Sequence, residues 1–152
     1  MKKDIVQLIF SILVLVLSCA AEELLPSVSV VGVPVLLSVA MYSALNRTPI
    51  VGLLFALAAG AAEDSLGSLP VASSVSFFVL ACAILRGFKL PLALGSLAFP
   101  LYQFWVWVWL GSAMQGGILL RMLISIPVGV VTLLLVWLLL HWFDGKAAIN
   151  EK

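Results

Sequence analysis

Glu63 and Asp64 are the side chains in this sequence best suited to chemistry, because adjacent carboxylates at the end of an apolar stretch are its one candidate acid–base set. Such a set would need companions, and few are present. His141 is the one histidine; it stands among Trp137, Trp142 and Phe143 at a helix end and does not make a metal site. Ser73, Ser74 and Ser76 crowd one segment, but with no base beside them they read as packing devices. They would bond back to their own helix or across to a neighbour for about 0.6 kcal/mol each. No nucleophile motif, phosphate loop or proton-relay series of acids occurs. No basic patch suits nucleic acid. The chain therefore reads as a scaffold or a binding protein rather than an enzyme, with no cofactor.

The stretch from Gly52 to Gly67 must position the two acids. At 3.6 residues per turn, Gly52, Ala56, Gly60 and Asp64 recur at every fourth residue and form one stripe of a helix, small three times and then acidic. Lipid competes for every large apolar side chain, so small residues at this spacing mark the face on which a neighbouring helix packs. Asp64 then points into protein, either with a role there or as an acid in the wet headgroup layer beside a tightly packed helix. The remaining segments are expected to arrange themselves around this helix.

Composition sets what those segments are. Of 152 residues, 64% are hydrophobic and only 10% charged, with a mean hydropathy of +1.25, which leaves far too little polar surface to coat a soluble domain. The expectation is one all-α integral membrane domain spanning the whole chain. A crossing takes about 20 apolar residues, so a chain of this length holds at most about six.

The first segment runs from about Ile5 to Ala21. Its lysines and apolar run also describe a signal peptide, and Val16 to Cys19 resembles a lipobox. Everything beyond Pro26 is again apolar enough for membrane, so an uncleaved helix is expected. The second, about Val28 to Leu45, carries Pro34 one to two turns in. The third, about Ile50 to Leu66, starts behind Thr48 as N-cap with Pro49 just inside, and Gly67 to Pro70 turns the chain. The fourth, about Pro70 to Leu85, ends at Arg86. The fifth, about Leu90 to Gly111, has Pro91 in its first turn and Pro100 in mid-membrane. Its alternating Trp105, Trp107 and Trp109 have the period of a strand, but a lone strand leaves its backbone unbonded in lipid, so a helix with an interfacial aromatic belt is expected. The sixth, about Ile118 to Phe143, is kinked at Pro127, and Lys146 to Lys152 forms a frayed polar tail.

Charge then selects the orientation. With Lys2 and Lys3 in the cytoplasm and six alternating crossings, Arg47, Arg86, Lys89, Lys146 and Lys152 share that side, and Glu22, Glu23, Glu63 and Asp64 all lie opposite. Loops rich in Lys and Arg stay in the cytoplasm, so both termini are expected there. Arg121 is the exception: about a turn inside the outer end of the sixth helix, it either pairs with Asp64 or reaches the headgroups alone. Cys19 and Cys82 fall at opposite depths and cannot be bridged.

Pro34-Val-Leu-Leu37, Tyr42-Ser-Ala-Leu45, Gly52, Gly60-Ala-Ala-Glu-Asp64 and Gly67 together resemble the middle of the rod shape-determining protein MreD family. In that family an apolar helix with an early proline precedes a glycine-containing helix that ends in an aspartate and then a glycine. The family's aspartate falls on Asp64 and its glycines on Gly52, Gly60 and Gly67. Glu63 is an extra acid, and Leu69-Pro70 stands where a second glycine pair is expected.

The resemblance implies a non-enzymatic, multi-pass subunit of the bacterial inner membrane, part of the elongation machinery for rod shape and peptidoglycan synthesis. Its implied partners are an MreC-like protein and, with it, MreB filaments, a RodA-like glycosyltransferase and a penicillin-binding protein. Membrane lipid surrounds it, and a homodimer is a further option. Gly52, Ala56, Gly60, Asp64, Gly67 and Arg121 are then the residues that pack helices and shape the partner surface, with Asp64 fixing the outer ends of helices three and six through Arg121 or a serine hydroxyl. MreD-like proteins also resemble the six-helix substrate-binding subunits of energy-coupling-factor transporters, so a vitamin-binding subunit is the alternative. Fold alone does not carry function. Such subunits tend to show an Ala-xxx-Ala docking face on helix one, where Ile5 to Ser18 has no alanine.

Overall fold

The structure, a computed structural model, describes residues 2–24, 35–66, 70, 72–89, 91–110 and 117–149. These residues form six α-helices: α1 (Lys2–Leu24), α2 (Val35–Asn46), α3 (Pro49–Leu66), α4 (Ser73–Gly87), α5 (Ala98–Leu110) and α6 (Ile118–Ile149), with a 3-10 helix, Leu92–Leu97, in front of α5. The tryptophan-rich stretch is helical and not a strand. Among the described residues, Pro49–Leu66, Leu92–Trp109 and Leu119–Gly145 are long and apolar enough to cross a membrane, while Leu8–Ala21, Val35–Asn46 and Ser73–Gly87 are apolar but shorter. Pro34, Gly67 and the residues around Leu69 lie outside the described residues.

The bundle is built around α2, not around α3. Residues Leu36 to Ala44 of α2 are buried without a break, which happens only when neighbours cover a helix on every side. The neighbours are α1, α3, α4 and α6. Leu36, Leu37 and Met41 join Phe78, Phe99 and Leu133 in one core, and Val39 and Tyr42 join Val14, Phe55 and Leu140 in a second. Short length and all-round apolarity disguise such a helix in the sequence, because it has no stripe to find.

Successive helices run antiparallel. Gly52 at the start of α3 lies against Ala44 at the end of α2, and Gly60 late in α3 lies against Val75 early in α4. Ser73 and Phe77 of α4 meet Trp105 and Tyr102 of α5 in reverse order. Phe10 of α1 stacks on Phe143 of α6 with ring centroids 3.8 Å apart. The start of α1 and the end of α6 therefore share one end of the bundle with Arg47, Arg86 and Lys89, here termed the basic end. Glu63, Asp64 and Arg121 mark the other, acidic end.

Two features of the second half differ from expectation. Pro100 is the third residue of α5, where its missing N–H has no intrahelical partner to lose, and the preceding residues wind as a 3-10 helix instead of continuing α5 backwards. The helix α6 continues through Asp144 to Ile149, where a frayed tail was expected. Pro127 lies inside it, and two residues on Gly129 accepts the ring of Phe99, which occupies the space an added Cβ would need.

Candidate functional site

Asp64 sits in the last turn of α3, only 9% exposed, and faces the first turn of α4. The first backbone N–H groups of a helix have no partner within it. At the cap position of α4 stands Ala72, held at a φ of 69° and without a side chain that could accept them. Asp64 supplies from the neighbouring helix what Ala72 lacks. Its Oδ1 accepts the backbone N–H of Ser74 at 2.7 Å and the hydroxyl of Ser73 at 2.9 Å, and its charge faces the positive end of the α4 dipole. Oδ2 is enclosed without a hydrogen bond among the described residues. From the serines the connection passes to α5: Ser74 Oγ and Tyr102 Oη share a hydrogen bond of 2.7 Å, and the Trp105 indole donates to the Ser73 carbonyl at 2.9 Å. Ser76 bonds back to the Ala72 carbonyl within its own turn.

The small stripe of α3 is buried in line with this acid, and it meets two helices. A Cβ added at Gly52 would stand 2.8 Å from the Cα of Ala44 in α2; one added at Gly60 would stand 2.5 Å from the Cα of Val75 in α4. Ala56, between them, is fully buried. Arg121 is not brought to Asp64. It is half-buried in the first turn of α6 and pairs with no carboxylate among the described residues. Asp64 takes the serine partners instead, and they tie α3 to α4 rather than to α6. The reason is chain connectivity: Ser73 and Ser74 follow Asp64 by only 9 and 10 residues, so bringing them together costs little loop entropy. Glu63, the next residue around the helix, is half-buried, and Gly67 lies outside the described residues.

A second cluster closes the basic end. Asp144 of α6 receives the Arg47 guanidinium on Oδ1 and the Tyr42 hydroxyl on Oδ2, each at 2.8 Å. Arg47 also reaches Ser11 Oγ of α1 at 3.3 Å. Three helices thus converge on one ion pair whose side chains are 12% and 20% exposed. At that exposure water screens the pair less than a surface pair, while both ions have given up part of their hydration. Arg86, at the end of α4, donates through Nη1 to the carbonyls of Ala44 and Arg47, the second at 2.8 Å. It thereby caps the C-terminus of α2, where carbonyls lack partners and the dipole is negative. His141 stacks on Trp137 with centroids 4.9 Å apart. No disulfide joins Cys19 and Cys82, and no group of three or more His, Cys, Asp or Glu side chains that could hold a metal occurs among the described residues.

Tyr42, Asp144, Tyr102 and Trp105 are the partners that spacing did not reveal, since each acts across helices far apart in the chain. One signal was available for Asp144: an acid in a helix that ends among cations needs a cation of its own, and antiparallel packing of successive helices puts Arg47 at that same end. Compared with known proteins, the chain matches no family model, no curated protein and no solved structure.

Proposed function

We propose that the chain is a non-enzymatic scaffold subunit of the bacterial inner membrane, a protein of the MreD kind. In this reading it crosses the bilayer six times with both termini in the cytoplasm. It presents its outer helix faces to an MreC-like protein and, through it, to a RodA-like glycosyltransferase and a penicillin-binding protein.

The observation that carries this reading is the use made of Asp64. The residue on which the family's aspartate falls is engaged in capping α4, and through Ser73 and Ser74 it links α3, α4 and α5. An acid used this way shapes a surface. The short helix α4 also fits a membrane setting. In lipid every backbone polar group must be satisfied by protein, and Asp64 meets the α4 amide that Ala72 leaves open, while Arg86 meets the carbonyls at the end of α2. The gathering of Arg47, Arg86 and Lys89 beside the start of α1 and the end of α6 supports the cytoplasmic assignment of that end.

Two measurements test the reading. Reporter fusions after Glu23, Gly67 and Gly116 are expected to report the periplasm, and fusions after Arg47, Gly87 and Lys152 the cytoplasm; a cytoplasmic signal at Gly67 would sink the six-crossing topology. Native mass spectrometry of the purified protein is expected to find no vitamin-sized adduct. A stoichiometric one would favour the transporter subunit instead.

A further inference from the structure

Arg86 has more hydrogen-bonding capacity than the fold uses. A guanidinium carries five N–H donors. In Arg86, Nη1 is committed to the carbonyls of Ala44 and Arg47; among the described residues Nη2 and Nε have no partner and no carboxylate of these residues lies within ion-pair distance. Its neighbour Arg47 is neutralised by Asp144. Arg86 is thus a half-buried cation, anchored through one nitrogen and unspent on the others. It stands at the end of a crevice of about 180 Å³ between α3 and α4, with Gly52 and Cys82 as the floor and Pro49, Leu53 and Ala83 at the rim. The floor residues are buried; Pro49, Leu53 and Ala83 are exposed, so the crevice opens sideways, away from the bundle. Apart from Arg86 its lining is apolar.

We propose that this crevice binds a phospholipid, with a segment of one acyl chain over Gly52 and Cys82 and the headgroup phosphate on Arg86. Volume argues for a chain segment: sites that enclose a whole small molecule hold about 300 to 1,000 Å³, more than the 180 Å³ found here. Charge argues for the headgroup. A guanidinium matches phosphate through two parallel N–H···O bonds, and basic pockets between helices on the cytoplasmic side are where anionic headgroups bind. Two larger crevices among the described residues make the contrast. One of about 320 Å³ between α4 and the 3-10 helix, and one of about 450 Å³ between the 3-10 helix and α6, have no charged side chain in their linings. They can take an acyl chain but cannot choose a headgroup. The proposal rests on the orientation given above, which sets Arg86 at headgroup depth, and is independent of any protein partner.

The test is native mass spectrometry of the full chain released from nanodiscs holding equal amounts of phosphatidylglycerol and phosphatidylcholine. The wild type is expected to keep one phospholipid, with phosphatidylglycerol favoured about fivefold, the ratio that one cation beside an anionic lipid supplies. Ala83→Phe places a ring in the crevice from the exposed rim, and is expected to release the lipid while leaving thermal stability unchanged. Arg86→Gln is expected to bring the two lipids to about parity. Inorganic phosphate is expected not to displace the bound lipid. Lipid retained by Ala83→Phe, equal retention of both lipids by the wild type, displacement by phosphate, or a bound protein in place of lipid would each overturn the proposal. The reporter fusions measure orientation separately, so failure of lipid binding and failure of the topology are told apart.

Discussion

Gly60→Leu will drive α3 away from α4 and lower the thermal stability of the detergent-solubilised protein more than any other single change in the stripe. Even Gly60→Ala is expected to cost about 1 to 3 kcal/mol. The atoms that an added Cβ would meet, at 2.5 and 2.7 Å, are the Cα and N of Val75, and backbone cannot swing aside as a side chain can. The membrane setting proposed above sharpens the penalty. Between helices in a bilayer there is little hydrophobic drive, and association depends on close packing, which a gap of one methyl already weakens. Gly87→Ala is the matched control: an added Cβ there meets nothing within 4 Å, and removing a helix-end glycine is expected to be neutral or to stabilise by up to about 1 kcal/mol. Thermal unfolding of the three variants checks this. Unchanged stability in Gly60→Leu would mean that this face meets lipid.

Asp64→Ala is the second large effect, with an expected loss of about 2 to 3 kcal/mol. It removes a charged acceptor from the buried Ser74 amide and the Ser73 hydroxyl and leaves both donors unsatisfied. Asp64→Asn is expected to cost less, about 1 kcal/mol, since it keeps an acceptor for Ser74 and loses the charge facing the α4 dipole. Amide hydrogen exchange gives the local readout: Ser74 should exchange faster in Asp64→Ala, while the middle of α4 stays protected. Arg121→Ala should change neither stability nor this exchange, because Arg121 takes no part in the cluster. Equal destabilisation by Arg121→Ala and Asp64→Ala would refute the capping of α4 by Asp64 and restore an interaction between α3 and α6.

The contrast between these two positions shows what a sequence of this kind makes legible. Gly60 and Asp64 stand out because a helix repeats its faces every three to four residues, and the small and acidic types fall in register. The destination of each side chain is not periodic. That Gly52 meets α2 and Gly60 meets α4 depends on how three helices cross, and the choice of the serines over Arg121 depends on an αL residue, Ala72, that leaves the Ser74 amide without a capping side chain. The central place of α2 was hidden for a related reason. A helix buried on all sides reads the same as one facing lipid, since both are apolar throughout. The ion pair of Arg47 with Asp144 joins residues 97 apart in the chain, and only charge balance at the basic end pointed toward it.

The central claim is that this bundle holds its polar residues together in order to present a surface to another membrane protein. The most direct test is purification of the tagged chain from native membranes, with the MreC-like protein quantified in the eluate for wild type and Asp64→Asn. The account predicts that wild type carries the MreC-like protein near stoichiometrically, and that Asp64→Asn inserts normally yet carries less of it. Wild type that brings down no MreC-like protein, and instead retains a vitamin-sized molecule that Asp64→Asn loses, would contradict it.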